Sequence, residues 1–330
     1  MSDRPLTLQG PDVQAQLPSL AVGLSRVGVT GVEKVIRIRQ NGDEELYWAR
    51  LDCFVDLAGD QKGAHMSRFD EVVNEAIGEV VLGEATFRAE DLAQRVAELV
   101  RERQGARRAE VRIAARYPEH KPAPVSGIDT QEIYTLHGLA IASERGTRRL
   151  VGVAAQGMTA CPCAQELVSA SSRVRLAEEG YGEEEIERIL DAVPVATHNQ
   201  RGLGTLYVGV NEHGTLEIEA RTLLEIVENS MSSEIYELMK RVDEAAVVEK
   251  AHRRPRFVED CVREMIQGVL DTLDRLPDDA FVSARQENLE TIHQHNVAAE
   301  RHGTLGELRR EVAGIEAPAR HTTLRDWLDA

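Results

Sequence analysis

The chain has 330 residues, of which 42% are hydrophobic and 4% aromatic, so it can bury a sizeable core built mainly from aliphatic side chains. Its formal net charge of −17 excludes sequence-independent electrostatic binding to nucleic acid. No apolar run approaches the roughly 20 residues that a helix needs to cross a bilayer. The chain has only four cysteines and no apolar secretory run at its start. We therefore expect free thiols, a cytoplasmic location, and no nucleic-acid or membrane partner.

The first half of the chain predicts the order strand, strand, helix, helix, strand, strand. Alternating apolar and polar residues indicate the strands, and apolar residues at helical spacing indicate the helices. Asn41-Gly42, a dipeptide typical of tight hairpins, separates the first two strands. The predicted segments are strands at 27–39 and 46–57, helices starting at 67 and covering 90–103, and strands at 109–117 and 132–143.

The second half predicts the same order again. The segments are strands at 149–158 and 204–210, helices at 223–240 and 255–276, and strands at 280–286 and about 296–302. Residues 171–197 interrupt this order and are interpreted as an insertion that carries an acidic helix. The tail after Thr304 is polar and predicts a short helix at best.

This pattern divides the chain into a first module (1–146), a second module (147–304) and a C-terminal tail (305–330). A sheet whose helices all lie on one face leaves its other face and its edge strands uncovered, which favours a closed, oligomeric barrel. An ordinary two-layer α+β domain fits the same pattern and remains the alternative.

Two cysteines, Cys161 and Cys163, flank a proline. In an extended segment, residues i and i+2 point to the same side, so both thiols would line one pocket. The alternative is a pair of small buried side chains beside a turn, because free cysteine is among the most buried residue types.

Four other clusters combine histidine, carboxylate and basic side chains. They are Thr197–Arg201 before a strand, Lys240–Glu244 at the end of a helix, Phe257–Asp260 at the start of the long helix, and Glu287–His295 after a strand. Thiolate, imidazole and carboxylate together suit a borderline-soft divalent metal. The clusters are far apart in the sequence, so their spacing by itself is weak evidence for a shared site.

Each candidate also has an ordinary structural explanation. His198 fits a surface loop, and Glu244 fits an exposed acid at a helix end. Glu259 in the first helical turn favours the helix dipole without any function, although its position at the edge of the apolar stripe predicts partial burial. Glu290 and His293 share one face if their segment is helical.

Seven short motifs, in this order along the chain, resemble those of the type IB GTP cyclohydrolases. They are Asp12-Val-Gln14, Lys62-Gly-Ala-His-Met-Ser-Arg68, Cys161-Pro-Cys163, His198-Asn-Gln-Arg201, Lys240-Arg-Val-Asp-Glu244, Phe257-Val-Glu-Asp260 and Glu287-Asn-Leu-Glu-Thr-Ile-His293. The insertion and the sequence Cys-Pro-Cys-Ala-Gln look more like the archaeal branch of the family than the bacterial one.

The resemblance implies an α+β fold of two tandem tunnelling-fold modules, assembled into a barrel-forming homotetramer. It implies GTP as the substrate, opened at C8 of the guanine ring with release of formate. The product would be 7,8-dihydroneopterin triphosphate, as in the bacterial branch, or its 2′,3′-cyclic phosphate, as in the archaeal branch.

The resemblance also implies one divalent metal per active site, Fe²⁺, Zn²⁺ or Mn²⁺, with Cys161, His198 and Glu244 as ligands. A bound metal activates water by lowering its pKa to about 7. Cys163 would lie outside the ligand set, close to the purine, as a hydrogen-bond partner or proton relay.

The remaining positions concern the substrate. Glu259 matches the carboxylate with which tunnelling folds bind the guanine N1–H and amino group. Glu290 and His293 match a pair near the ribose and the metal, with His293 as general acid or base. His65 and Arg68 are expected to contact phosphate from a neighbouring module.

Two other functions remain open on the same fold. One is an NADPH-dependent nitrile reductase of the queuosine pathway, which also combines a cysteine with a purine-binding glutamate. The pairing of His198 with the Cys-Pro-Cys segment argues against it. The other is a non-catalytic oligomer that binds purine or metal.

Overall fold

A computed structural model describes residues 12–40, 43–82, 88–211, 218–315 and 319–329. The predicted Asn41-Gly42 turn lies outside these ranges. The strands are β1 (Leu24–Gln40), β2 (Asp43–Leu57), β3 (Arg108–Pro122), β4 (Asp129–Ser143), β5 (Gly146–Ala160), β6 (Asn199–Val210), β7 (Ser233–Glu234), β8 (Phe281–Leu289) and β9 (Val297–Thr304). The helices are α1 (Met66–Leu82), α2 (Ala89–Gln104), α3 (Pro162–Glu178), α4 (Glu183–Ala192), α5 (Ala220–Ser230), α6 (Arg241–Arg253), α7 (Val258–Thr272), α8 (Leu305–Val312) and α9 (Leu324–Asp329).

The strands form one antiparallel sheet in the order β1-β2-β3-β4-β5-β6-β8-β9, and the short β7 pairs with β5. The predicted element order is found in both halves, with additional elements inserted in the second. Pairing of β4 with β5, from Thr135 opposite Ala154 to Ser143 opposite Gly146, joins the two halves. The fold is therefore a mixed α and β architecture around a single continuous sheet.

The main core lies on one face of this sheet. Helices α1 and α2 cover the first half of that face, and α5 and α7 cover the second. Along β3, Val111, Ile113 and Ala115 are buried, whereas Arg112 and Arg116 are exposed. This alternation is what a strand with one covered and one open face requires. Within the described ranges, no helix combines the length and the apolar composition needed to span a bilayer.

The prediction of one helix over 223–240 was wrong. Helix α5 ends at Ser230, and Ser233 and Glu234 then form β7 against Met158 and Gly157 of β5. The pairing of β4 with β5 stops at Ala154, so this edge of β5 is open to β7. Tertiary strand pairing has overridden a helical sequence pattern.

The Lys240–Glu244 motif therefore opens a helix rather than ending one. Lys240 is the N-cap of α6, and its amide donates to the Oδ2 of Asp243 at 2.8 Å. The long apolar helix also begins later than predicted, at Val258 instead of Pro255. Residues before it remain extended, and the Arg256 amide donates to the Ala160 carbonyl at 2.9 Å.

The insertion begins earlier than predicted, because α3 starts at Pro162, and it forms a helical hairpin of α3 and α4. No residue of α3 is buried, and Ile186 is the buried residue of α4. Leu167 is 68% exposed and Val174 is 60% exposed. The hairpin thus projects from the sheet with apolar side chains on its surface.

The C-terminal tail contains more structure than its composition predicts. After α8, the helix α9 packs on the sheet face that the other helices leave uncovered. The Trp327 ring stacks on Phe281 at 5.3 Å between centroids, and its indole N–H donates to the Asp279 carbonyl at 2.8 Å. Leu324, Trp327 and Leu328 share one face of α9, and this face packs against the sheet although the segment as a whole is polar.

A buried ion pair links the β3–β4 hairpin to the second half. The Lys121 Nζ lies 2.8 and 2.9 Å from the two carboxylate oxygens of Glu228 on α5, and the Tyr134 hydroxyl donates to the same carboxylate at 2.8 Å. Burial raises the pKa of Glu228, while Lys121 and Tyr134 oppose that rise. The ammonium group, the carboxylate and the hydroxyl thus provide hydrogen-bond partners for one another where solvent has little access.

We expect Lys121→Met to reduce the free energy of unfolding by about 3 kcal/mol, because it leaves the Glu228 carboxylate buried without its cation. Chemical denaturation measures this loss. The matched control is Glu249→Gln, which removes an exposed i,i+4 pair with Arg253 and should cost less than about 1 kcal/mol. Equal effects of the two substitutions would contradict a structural role for the buried pair.

Candidate active site

The candidate site lies where β5 ends and β6 begins. These strands pair along their length as far as Ala160 opposite Asn199. The Cys161 amide donates to the His198 carbonyl at 3.1 Å, and the Thr197 hydroxyl donates to the Cys161 carbonyl at 2.7 Å. Two segments separated by the helical hairpin are thereby fixed side by side.

The two cysteines occupy different environments. Cys161 is the N-cap of α3, has an extended backbone and is half-buried. Cys163 lies within the first turn of α3 and is exposed. The expectation that both thiols point to one side of an extended segment was wrong, because Pro162 starts a helix between them.

His198 is held by a residue to which the sequence analysis assigned no role. Its Nδ1 lies 3.0 Å from the Oε1 of Gln200, which is 5% exposed. A carboxamide oxygen accepts a hydrogen bond, so this contact restrains the imidazole ring in the tautomer that carries a proton on Nδ1. His198 directly precedes β6 and Gln200 is the second residue of that strand. The two-residue period of extended backbone was the signal that both side chains lie on one side.

Glu290 and His293 meet His198 from the end of β8. The Glu290 Oε2 lies 3.8 Å from the His198 Nδ1, and its side chain is 7% exposed. The His293 ring is edge-on to His198 at 6.4 Å and stacks on His295 at 5.1 Å. Residues 291–295 form bends and not a helix, so the condition under which Glu290 and His293 would share a helical face is not met.

Glu244 and Glu259 are both exposed, each in the first turn of its helix. Helix α6, which carries Glu244, packs against β5 and β7. Glu259 lines a surface cavity of about 480 Å³ between α7, β9 and α8, together with Arg301. The partial burial predicted for Glu259 is not observed.

His65 and Arg68 lie at the start of α1, in the first half of the chain. The His65 Nε2 is 3.4 Å from the Asp12 carboxylate, and the Gln104 side chain donates to the His65 carbonyl at 2.8 Å. Arg68 donates to the Arg103 carbonyl at 3.1 Å. These contacts fix both residues within the first half of the chain.

The site therefore combines Cys161, His198, Glu290 and His293 at one end of the sheet. Across the described ranges, no three His, Cys, Asp or Glu side chains are close enough together to hold a metal ion. Cys161 and His198 are donor types that fit a borderline-soft divalent metal. The third expected donor, Glu244, does not join them within a single chain.

Comparison with known proteins identifies the family. Residues 11–299 match the family described as type I GTP cyclohydrolase folE2. The chain belongs to this family.

Similar proteins span nearly the whole chain. "GTP cyclohydrolase MptA" of Methanococcus maripaludis strain C5 is 43% identical over 312 residues, which cover 92% of this chain and 98% of that protein. The proteins of the same name from Methanococcoides burtonii, and "MptA 1" from Methanocella arvoryzae, are each 42% identical and cover 92% of this chain and 97% of their own lengths.

Among solved structures, a hyper-thermostable uricase mutant is similar with a TM-score of 0.50 and 10% sequence identity. The match covers 91% of this chain and 95% of that one. At this identity the similarity concerns the fold only.

We expect Gln200→Leu to weaken Zn²⁺ binding by about 10- to 100-fold, because His198 loses the acceptor that orients its ring. Gln200→Glu is the matched control, since it keeps an acceptor at the same position and should stay closer to the wild type. Competition with a chelator measures the affinity, and thermal melting checks the fold. Wild-type affinity in Gln200→Leu would contradict this positioning role.

Proposed function

We propose that this protein is a GTP cyclohydrolase that opens the guanine ring of GTP at C8 and releases formate. The observation that carries the proposal is the match of residues 11–299 to the family, together with full-length relatives that bear this name. The cluster of Cys161, His198, Glu290 and His293 supports it, because hydrolysis of a purine ring requires groups that bind water and transfer protons.

The similarity to the archaeal proteins favours 7,8-dihydroneopterin 2′,3′-cyclic phosphate as the product over the triphosphate. It also favours a role in the synthesis of methanopterin-type cofactors. The long helical hairpin α3–α4 is a feature that the sequence analysis associated with this branch.

We further propose one divalent metal, Fe²⁺, Zn²⁺ or Mn²⁺, with Cys161, His198 and Glu244 as its ligands. A bound metal of this kind lowers the pKa of a coordinated water to about 7. Support comes from the half-buried Cys161 thiol and from the contact of His198 Nδ1 with Gln200, which leaves the other ring nitrogen, Nε2, available to bind a metal. Completing the set requires the Glu244 side chain to approach from the exposed first turn of α6.

The carboxylate and imidazole groups have distinct roles in this proposal. Glu290, whose carboxylate lies 3.8 Å from the His198 Nδ1, contacts the ribose. His293 is exposed, and it transfers protons to and from the ring nitrogens as the bonds at C8 break. Cys163, exposed at the first turn of α3, contacts the purine and not the metal.

Substrate recognition rests on Glu259, His65 and Arg68. One carboxylate opposite the guanine N1–H and amino group accepts two hydrogen bonds, and adenine lacks this donor pair. The exposure of Glu259 at the rim of a cavity suits a group that meets a ligand. His65 and Arg68 lie in the other module, so we propose that they contact the phosphates from a neighbouring subunit.

A homotetramer built from tandem tunnelling-fold modules provides those neighbours. In the described part of the chain, β1 and β9 are the two ends of the strand order, and each presents an open edge. Open edges favour pairing with another chain. The exposed apolar side chains of α3 offer a second contact surface.

Incubation of metal-loaded protein with GTP tests the activity, and we expect formate together with a fluorescent pterin. Mass analysis of the product distinguishes the cyclic phosphate from the triphosphate. Turnover that depends on NADPH would instead support the nitrile reductase, and GTP binding without formate would support a non-catalytic purine-binding oligomer.

The two cysteines should differ when each is replaced. Cys161→Ala removes a proposed metal ligand, so metal content and activity should both collapse, whereas Cys163→Ala should retain metal while turnover falls. Glu259→Gln places a donor opposite the guanine donors, and it should weaken GTP binding and spare the metal. Metal analysis and GTP titration of the three variants check these assignments. If Cys161→Ala kept its full metal content and Cys163→Ala contained no metal, the roles assigned to the two cysteines would be reversed.

A further inference from the structure

A second cavity lies on the sheet face opposite the main core. It has a volume of about 380 Å³, and α9 closes one side of it through Leu324. Its apolar walls include Leu139 of β4, Leu150 of β5 and Phe281 of β8. The cavity is open to the surface, because the side chains of Arg50 and Arg112, which line it, are 58% and 53% exposed.

The cavity is remote from the candidate active site. Leu150 lines the cavity and Ala160 precedes Cys161, and both belong to β5. Ten residues of strand separate them, which corresponds to about 30 Å. The cavity and the candidate active site therefore lie at different positions along β5. A ligand bound in the cavity does not occupy the active site.

Two aromatic side chains in the cavity wall offer polar atoms that no described residue satisfies. The rings of His137 and Tyr207 are 5.3 Å apart, and neither forms a hydrogen bond within the described ranges. Burial lowers the pKa of His137 to about 4 and raises the pKa of Tyr207, so both are neutral near pH 7. Both side chains are only partly buried, so a molecule in the cavity can reach their polar atoms.

The remaining polar wall favours a negative charge. Arg50 and Arg112 line the cavity, and the positive charge of Arg112 acts on the Tyr207 hydroxyl. Asp52 is the opposing acid of this wall, and its Oδ1 already accepts from the Gly31 amide at 2.7 Å. The Arg112 Nε also lies 2.8 Å from the Glu110 carboxylate, which two further arginines share, so arginines outnumber acids around this wall.

We propose that this cavity is a second binding site, for a small planar heteroaromatic molecule that carries an anionic group. The rings of His137 and Tyr207 provide the surface on which such a molecule stacks and the polar atoms that it bonds. Arg112 binds the anionic group, and Leu139, Leu150 and Phe281 contact the apolar edge. This site is independent of GTP turnover, and the inference does not rest on the proposed function.

Calorimetric titration with quinoline-2-carboxylate, a bicyclic heteroaromatic acid, tests the proposal on the full-length protein. We expect saturable binding with one molecule per chain, and weaker binding of uncharged quinoline. Arg112→Gln and Tyr207→Leu should each reduce the affinity about tenfold or more.

Two controls separate this site from other causes. Arg116→Gln removes an exposed arginine from the same strand and the same face but outside the cavity, and it should bind like the wild type. His198→Ala disrupts the candidate active site and should also leave this binding unchanged. Thermal melting establishes that each variant is folded, and Arg112→Lys, which keeps the charge, should retain part of the affinity.

The proposal is overturned by the absence of saturable binding at millimolar concentrations. It is also overturned by equal affinity in Arg112→Gln and the wild type, or by loss of binding in His198→Ala. The last result would place the acid in the candidate active site. GTP turnover is measured separately, so a failure of the proposed activity would not alter any of these outcomes.

Discussion

The candidate active site depends on the register of three neighbouring strands. Pairing of β5 with β6 sets Ala160 opposite Asn199, and pairing of β6 with β8 sets Arg201 opposite Leu289. The residues that follow or precede these positions are Cys161, His198 and Glu290. A slip of one residue would turn alternate side chains to the other face, so the sheet ladder determines which groups can meet. The helices of the insertion begin after Cys161 in the chain and end before His198, and they leave this arrangement intact by projecting outward.

The same sheet joins the two halves of the chain and separates two kinds of surface. One face carries the apolar core under α1, α2, α5 and α7. The Lys121–Glu228 ion pair fastens the β3–β4 hairpin to that helical layer, and Asp243 adds a second attachment by accepting from the amides of Val125 and Ser126 at 2.8 Å each. Asp243 is adjacent to Glu244, so the hairpin tip fixes the helix start that carries a proposed ligand. The opposite face is closed only in part, by α9, and this incomplete cover creates the second cavity.

Local pattern predicted most strands because each alternates between a buried and an open face, as Val111 and Arg112 illustrate. Prediction from the local pattern was wrong where pairing between strands distant in the sequence competes with a preference for helix. Residues after Ser230 have a helical pattern, yet Ser233 and Glu234 join β5 because β4 leaves its edge open. It failed again at Trp327, whose burial depends on a surface formed by Phe281 and other strand residues far away in the sequence. The sequence did not predict a role for Gln200 either, because that role depends on the 3.0 Å contact with His198, which only the folded structure shows.

The sequence by itself determined the family, the order of strands and helices, and the residue types available for chemistry, because these follow from ordered motifs and periodicity that each segment carries locally. The tertiary structure decided which of those residues meet. It brought Cys161, His198, Glu290 and His293 together, placed Cys163 in a helix, and left Glu244 and Glu259 exposed at helix starts. Contacts between segments far apart in the chain depend on strand register and on competition for open edges, and neither is encoded in the spacing of a single motif.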